Sequence, residues 1–159
     1  MTHEYLQGFM MTHDESDSSG FMTTHADQIR SYFEACSSGS SEAVAMHFTE
    51  DAVIYDTNHS PIVNSKAIGK FWSQMHTKWV GATWIVERVI ETSDSAAIEW
   101  VMEGEVLGQR FQIRGSEHYE FEDGLIAEIR QYWTFDPESP GGGLIKYAYG
   151  EPGHLGFDG

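Results

Sequence analysis

Apolar and polar side chains alternate most regularly in the stretch RFQIRGSEHYEFEDGLIAEIRQYWTFD, residues 110–136, where two period-two runs flank the turn Glu122-Asp123-Gly124. That pattern predicts a long β-hairpin. In its first arm Phe111, Ile113, Gly115, Glu117, Tyr119 and Phe121 share one face, while Gln112, Arg114, Ser116, His118 and Glu120 share the other. The first face is apolar apart from Glu117. A carboxylate placed there is costly unless paired, and such a group commonly sheds its charge by keeping its proton.

The rest of the chain supplies elements to pack against that hairpin. Residues 26–36 place Ile29, Phe33 and Cys36 at helical spacing with Tyr32 beside them, which predicts a first helix. Turn residues follow at 37–40, and Ser40 or Ser41 caps a short second helix running to 48. Residues 51–56, DAVIYD, read as a strand with Val53 and Tyr55 on one side and Ala52, Ile54 and Asp56 on the other. A loop at 58–64, marked by Pro61, leads to a third helix capped by Ser65 and running to 79, with the stripe Ile68, Phe71, Trp72, Met75 and Trp79. Four strands are then predicted at 84–91, 95–107, 110–122 and 125–135. Helices followed by a run of strands indicate an α+β domain, with helices packed on one face of a strongly curved, mainly antiparallel sheet. Residues 1–24 show neither period and are expected to be a mobile leader. The domain is expected to occupy 25–136. A Gly- and Pro-rich extension, 137–159, would fold over the mouth of the domain or contact a partner.

Composition narrows the function classes. With 25 acidic and 9 basic residues the net charge is −16, which argues against nucleic acid and against an anionic membrane surface. No apolar run approaches the roughly 20 residues of a membrane span. Cys36 is the single cysteine, so no internal disulfide is possible and a reducing, cytoplasmic location is expected. No metal site and no cofactor is expected; the leader histidines lack a fixed scaffold.

The element order, together with FTEDAVIYD and YEFEDGLIAEIRQYW, resembles the NTF2-like superfamily over residues 26–136, and within it the SnoaL-like proteins and ketosteroid isomerases. The resemblance implies an NTF2-like cone with three N-terminal helices packed on the sheet. That cone hosts isomerases, dehydratases, cyclases, epoxide hydrolases and non-enzymatic adaptors. Ketosteroid isomerases carry an oxyanion tyrosine on the first helix in a pattern like RYIELVD; SYFEACS aligns Tyr32 with it. Their general-base aspartate ends a strand in a pattern like TVEDP; VIYDT aligns Asp56. Their protonated aspartate sits mid-strand shortly before an Arg-Phe and a turn, and counting back from Phe121 and Gly124 aligns Glu117. Three departures stand out: a glutamate longer by one methylene, Thr57 in place of proline, and a longer C-terminal extension, as in SnoaL-type proteins. The resemblance therefore does not imply a steroid substrate.

By this resemblance Asp56 removes or relays a proton next to a carbonyl, while Tyr32 and neutral Glu117 donate to the oxygen that becomes negative. The same groups could run isomerase, dehydratase or cyclase chemistry. The expected ligand is a small apolar or aromatic carbonyl compound, held by Trp72, Ile98, Trp100, Ile113, Tyr119, Gln131 and Trp133, with His59 and His76 within reach. A dehydratase centred on His59 or His76 is the nearer competitor. Epoxide hydrolysis needs an inward arginine between two aspartates, and Arg114 points outward by parity. Plainer readings also exist. Tyr32 would be core, Asp56 would cap the loop at Asn58, and Glu117 would pair with Arg130 or Arg114. The alternative function is a non-catalytic module that binds a ligand or partner. His118 and Glu120 lie on the outer sheet face, where a homodimer contact is expected.

Overall fold

The computed structural model describes residues 23–134 and 142–156. The expected leader up to residue 22, the end of the fourth predicted strand at 135 and the 136/137 boundary lie outside the described residues. The chain runs α1 (His25–Ser38), α2 (Ser41–Ala45), β1 (Phe48–Asp56), β2 (Ile62–Val63), α3 (Ser65–Lys78), β3 (Val80–Glu91), β4 (Ser95–Val106), β5 (Gln109–Glu122) and β6 (Leu125–Trp133).

Local chemistry explains the starts and stops. Thr24 caps α1 by accepting from the Asp27 N–H, and the Asp27 carboxylate accepts in turn from the Thr24 N–H, a capping box. The second helix is shorter than expected because Phe48 already belongs to β1, where it stands opposite Ile126. Asn64, not Ser65, caps α3: it sits at φ 76°, which asparagine tolerates, and accepts from the Ala67 N–H at 2.9 Å. The expected loop at 58–64 also holds β2, two residues antiparallel to β1.

The fold is α+β, with one curved six-stranded sheet in the order β2-β1-β6-β5-β4-β3. Only β1 and β6 run parallel; the other neighbours are antiparallel. Register shifts in three of the pairings mark bulges, which bend strands. The β5–β6 turn places Asp123 at φ 49° and Gly124 at φ 77°, the two successive positive values that a type I′ hairpin turn requires. Helix α1 packs on β3, α2 on α3, and α3 on β1. Gly69 permits the α2–α3 approach, since a Cβ there would lie 2.2 Å from the Ser41 carbonyl oxygen. Ile29, Phe33, Ile54, Ile68, Ile113 and Ile129 are among the buried residues between helices and sheet. Burial in β5 follows the predicted parity, with Ile113, Glu117 and Tyr119 buried.

Candidate active site

Between α3 and the inner sheet face lies a cavity of about 290 Å³, with all five tryptophans of the chain, Trp72, Trp79, Trp84, Trp100 and Trp133, in its wall. Asn58, His59, Phe71, Met75, Lys78, Met102, Ile113 and Gln131 complete it. Helix α3 delivers Trp72, Met75 and Trp79 from the apolar stripe seen in the sequence. The sheet delivers the rest by register: Trp84 opposes Met102, Met102 opposes Ile113, and Gly115 lies between Trp100 and Trp133. A Cβ on Gly115 would lie 2.5 Å from Trp100 Cζ2, so the glycine is what seats that indole.

Asp56 stands beside the cavity with its side chain fully shielded from solvent. Its Oδ1 accepts from the Asn58 N–H at 2.6 Å. Its Oδ2 accepts from Trp133 Nε1 at 2.7 Å and from Gln131 Nε2. His59 Nε2 lies 3.5 Å from the same Oδ2, while its Nδ1 meets the Ser60 carbonyl at 2.9 Å. The imidazole leans on Phe71, with ring centroids 4.8 Å apart. Asp56 thus does cap the loop at Asn58, and it also backs His59. Lys78 is exposed, which puts its charged head at the rim. His59 is therefore the titratable wall residue with a buried carboxylate behind it.

Glu117 is 3% exposed and has no arginine partner: Arg130 bonds Glu120 and Glu128, and Arg114 pairs with Glu87. Burial pushes the Glu117 carboxyl up to about 8; the Tyr119 hydroxyl, which donates to Oε2, opposes the rise, and the nearby Asp56 charge adds to it. Burial likewise pushes the Tyr32 and Tyr119 phenols and the Cys36 thiol up, so this cluster is neutral at physiological pH. The Trp72 indole tempers the Tyr32 rise, although its N–H lies outside hydrogen-bonding geometry.

Of the residues singled out in the sequence, His59, Trp72, Trp100, Ile113, Gln131 and Trp133 line the cavity. Ile98 and Tyr119 are not in the wall, because they lie farther along their strands, beside Glu117. His76 lies against Gly39, away from the cavity wall. Glu117 lies close enough to Tyr32 and to Asp56 to interact electrically with each, yet none of the three is in the wall. Trp79, Trp84, Phe71, Met75 and Met102 were missed as wall residues; the α3 stripe and the inward parity of β3 and β4 carried that signal.

Residues 142–156 lie on the outer sheet face. Tyr149 covers the Arg114 guanidinium at 4.0 Å, and the Leu144 N–H donates to the Tyr149 hydroxyl at 2.9 Å. A second hollow, of about 380 Å³, lies under this segment around the Arg114–Glu87 pair. It shares Trp100 and the Asp56 partner Trp133 with the first and reaches Thr57, but Asp56, His59 and Gln131 are not in its lining.

Residues 29–129 match the model of the SnoaL-like domain. The chain belongs to the SnoaL-like family. Solved structures with the same fold include a ketosteroid isomerase-like protein from Catenulispora acidiphila in complex with trimethylamine, at 14% identity and TM-score 0.65, over 70% of this chain and 88% of that one. Another is an epoxide hydrolase/cyclase-like enzyme of pyran-ring formation in the polyether salinomycin, at 18% identity and TM-score 0.61, covering 69% and 90%. A third is a LEH-like epoxide hydrolase from M. tuberculosis, at 17% identity and TM-score 0.59, covering 67% and 80%. No curated protein matches the chain. Among the described residues no helix is long and apolar enough to cross a membrane.

Proposed function

We propose that this SnoaL-like domain, a cone spanning residues 25–136, is a cofactor-independent acid/base enzyme that moves a proton on a small, flat carbonyl compound held among the tryptophans. Isomerase-, dehydratase- and cyclase-type chemistry all fit that description. The observation that carries the reading is the Asp56–His59 arrangement: an imidazole in the wall of an aromatic cavity, with a buried, ionisable carboxylate on its far side. Nε2 faces Asp56 and Nδ1 faces the Ser60 carbonyl, so the imidazole gives or takes a proton at the ligand by turning away from Ser60, with Asp56 still beside it. Tyr32 and Glu117 then act from behind Trp72 and Gln131, shaping the field around Asp56 rather than touching ligand. Epoxide hydrolysis, which the neighbouring folds include, is disfavoured by an Arg114 that faces outward and is committed to Glu87. A reducing, cytoplasmic location is proposed on the strength of the single cysteine, Cys36. The protein is also proposed as a homodimer through the part of the outer face that residues 142–156 leave open, around the exposed Tyr132 and His118.

The test is turnover of a panel of β,γ-unsaturated ketones and β-hydroxy carbonyl compounds by the wild type, His59→Gln and Asp56→Asn. Loss of about 10²-fold or more in kcat is expected for His59→Gln, the usual weight of a general acid or base. An active enzyme indifferent to that change sinks the assignment. A binding-only module is the second reading, favoured by one observation: both Asp56 oxygens already accept hydrogen bonds, which makes the carboxylate a poor base. Tryptophan fluorescence that reports saturable ligand uptake without turnover would select it.

A further inference from the structure

Asp56, Gln131 and Glu117 stand opposite one another on β1, β6 and β5, in one row across the sheet. The middle residue is an amide with a different face for each neighbour. Gln131 Nε2 donates to Asp56 Oδ2, the oxygen that also accepts from the Trp133 indole N–H, so the amide turns its NH2 towards β1. With the NH2 turned towards β1, Oε1 is left on the β5 side. That oxygen is buried, receives no N–H or hydroxyl hydrogen, and belongs to a residue only 4% exposed. An amide oxygen shut away from water without a donor is a substantial penalty.

The side chain facing it across the ladder is Glu117, and directly opposed residues bring their Cβ atoms to about 5 Å, within reach of both side chains. An ionised Glu117 would present lone pairs to a lone pair. A protonated one has a single hydrogen to give. Its Oε2 already accepts from Tyr119, so the acid hydrogen belongs on Oε1. The other titratable groups acting on Glu117 are Tyr32 and Cys36 from α1, Tyr119 from its own strand and Asp56 from β1. None of them is a cation. The ionised form therefore has no counter-ion.

We propose that Gln131 is a positioning residue that decides which of two neighbouring carboxyls carries the proton: its NH2 holds Asp56 as the anion, and its Oε1 accepts the hydrogen of Glu117. The row holds one proton between two carboxyls, and the amide fixes its place. The arrangement holds whether or not the cavity turns over a substrate.

Carbon-13 titration of the full chain tests it, following the carboxyl carbons of Asp56 and Glu117 and the amide carbon of Gln131. Signals are assigned from Asp56→Asn, Glu117→Gln and Gln131→Met. In the wild type the Gln131 amide carbon is expected to inflect at the midpoint of Glu117, because ionisation there breaks the bond to Oε1. In Gln131→Met the Glu117 midpoint should fall by about one pH unit or more, a tenfold change. Were Gln131 merely filling space, the more apolar methionine would raise that midpoint rather than lower it. A Gln131 signal flat through the Glu117 midpoint overturns the proposal, as does a Glu117 midpoint unchanged or raised in Gln131→Met. The wild-type titration decides alone if that variant does not fold, and neither readout depends on the His59→Gln turnover experiment.

Discussion

Glu117→Gln removes a carboxyl buried in the apolar core with no cationic partner among the described residues, and the consequence for stability can be worked through with its sign. The carboxyl titrates near 4.5 in the unfolded chain and at about 8 in the fold. Below 4.5 both states are protonated and the group has no net effect. Between the two midpoints the unfolded chain gives up a proton that the folded chain keeps, so stability falls as pH rises, by about 1.4 kcal/mol per pH unit. Above 8 both are ionised and the loss levels off. At pH 7 the carboxyl therefore burdens the fold by about 3 kcal/mol relative to pH 4. Glutamine has the shape of the protonated acid, can still offer an N–H to Gln131 Oε1, and does not titrate. Glu117→Gln is expected to match the wild type within about 1 kcal/mol at pH 5, exceed it by about 3 kcal/mol at pH 7, and exceed it most at pH 9. Urea unfolding followed by tryptophan fluorescence at those three pH values measures the difference, and the other carboxyls cancel in it. A difference that stays constant from pH 5 to 9 would refute the reasoning, because it would mean that Glu117 titrates alike in both states.

Other substitutions probe the neighbours. Tyr119→Phe deletes the hydroxyl that donates to Glu117; the Glu117 midpoint should move higher still, read by the same carbon-13 titration, and a downward move would contradict the bond. Gly115→Ala places a methyl 2.5 Å from Trp100 Cζ2 and should cost about 1–3 kcal/mol while altering cavity tryptophan fluorescence. An unperturbed spectrum would show that the Trp100 seat is looser than described. Arg114→Ala leaves Glu87, 9% exposed, buried without its cation and should destabilise by about 3 kcal/mol. Because Tyr149 also loses the guanidinium beneath it, limited proteolysis should cut within residues 142–156 before it cuts the sheet.

How much of this was legible in the chain differs between fold and site, for a physical reason. Period-two alternation is a property of one strand, so the inward face of β5, the misplaced Glu117 and the hairpin turn could all be read from adjacent letters. The α3 stripe is likewise local. Caps and short ladders are decided by a single hydrogen bond, which is why Asn64 displaced Ser65 and β2 went unseen. Which inward residues face the cavity and which face the core depends on how far along the strand the helices sit. Ile98 and Tyr119 have the same parity as Trp100 and Ile113 yet lie outside the cavity wall, so parity alone could not sort them.

The pairing of polar groups is less legible still, because it needs the register between strands. Gln131 reads in the sequence only as one polar member of the expected pocket wall. Its meaning appears only when β1 is laid parallel to β6 and β5 antiparallel to it, so that two carboxyls flank one amide. An amide has one donating end and one accepting end. Two identical charges cannot both satisfy it, and the site is thereby given an acid and an anion side by side.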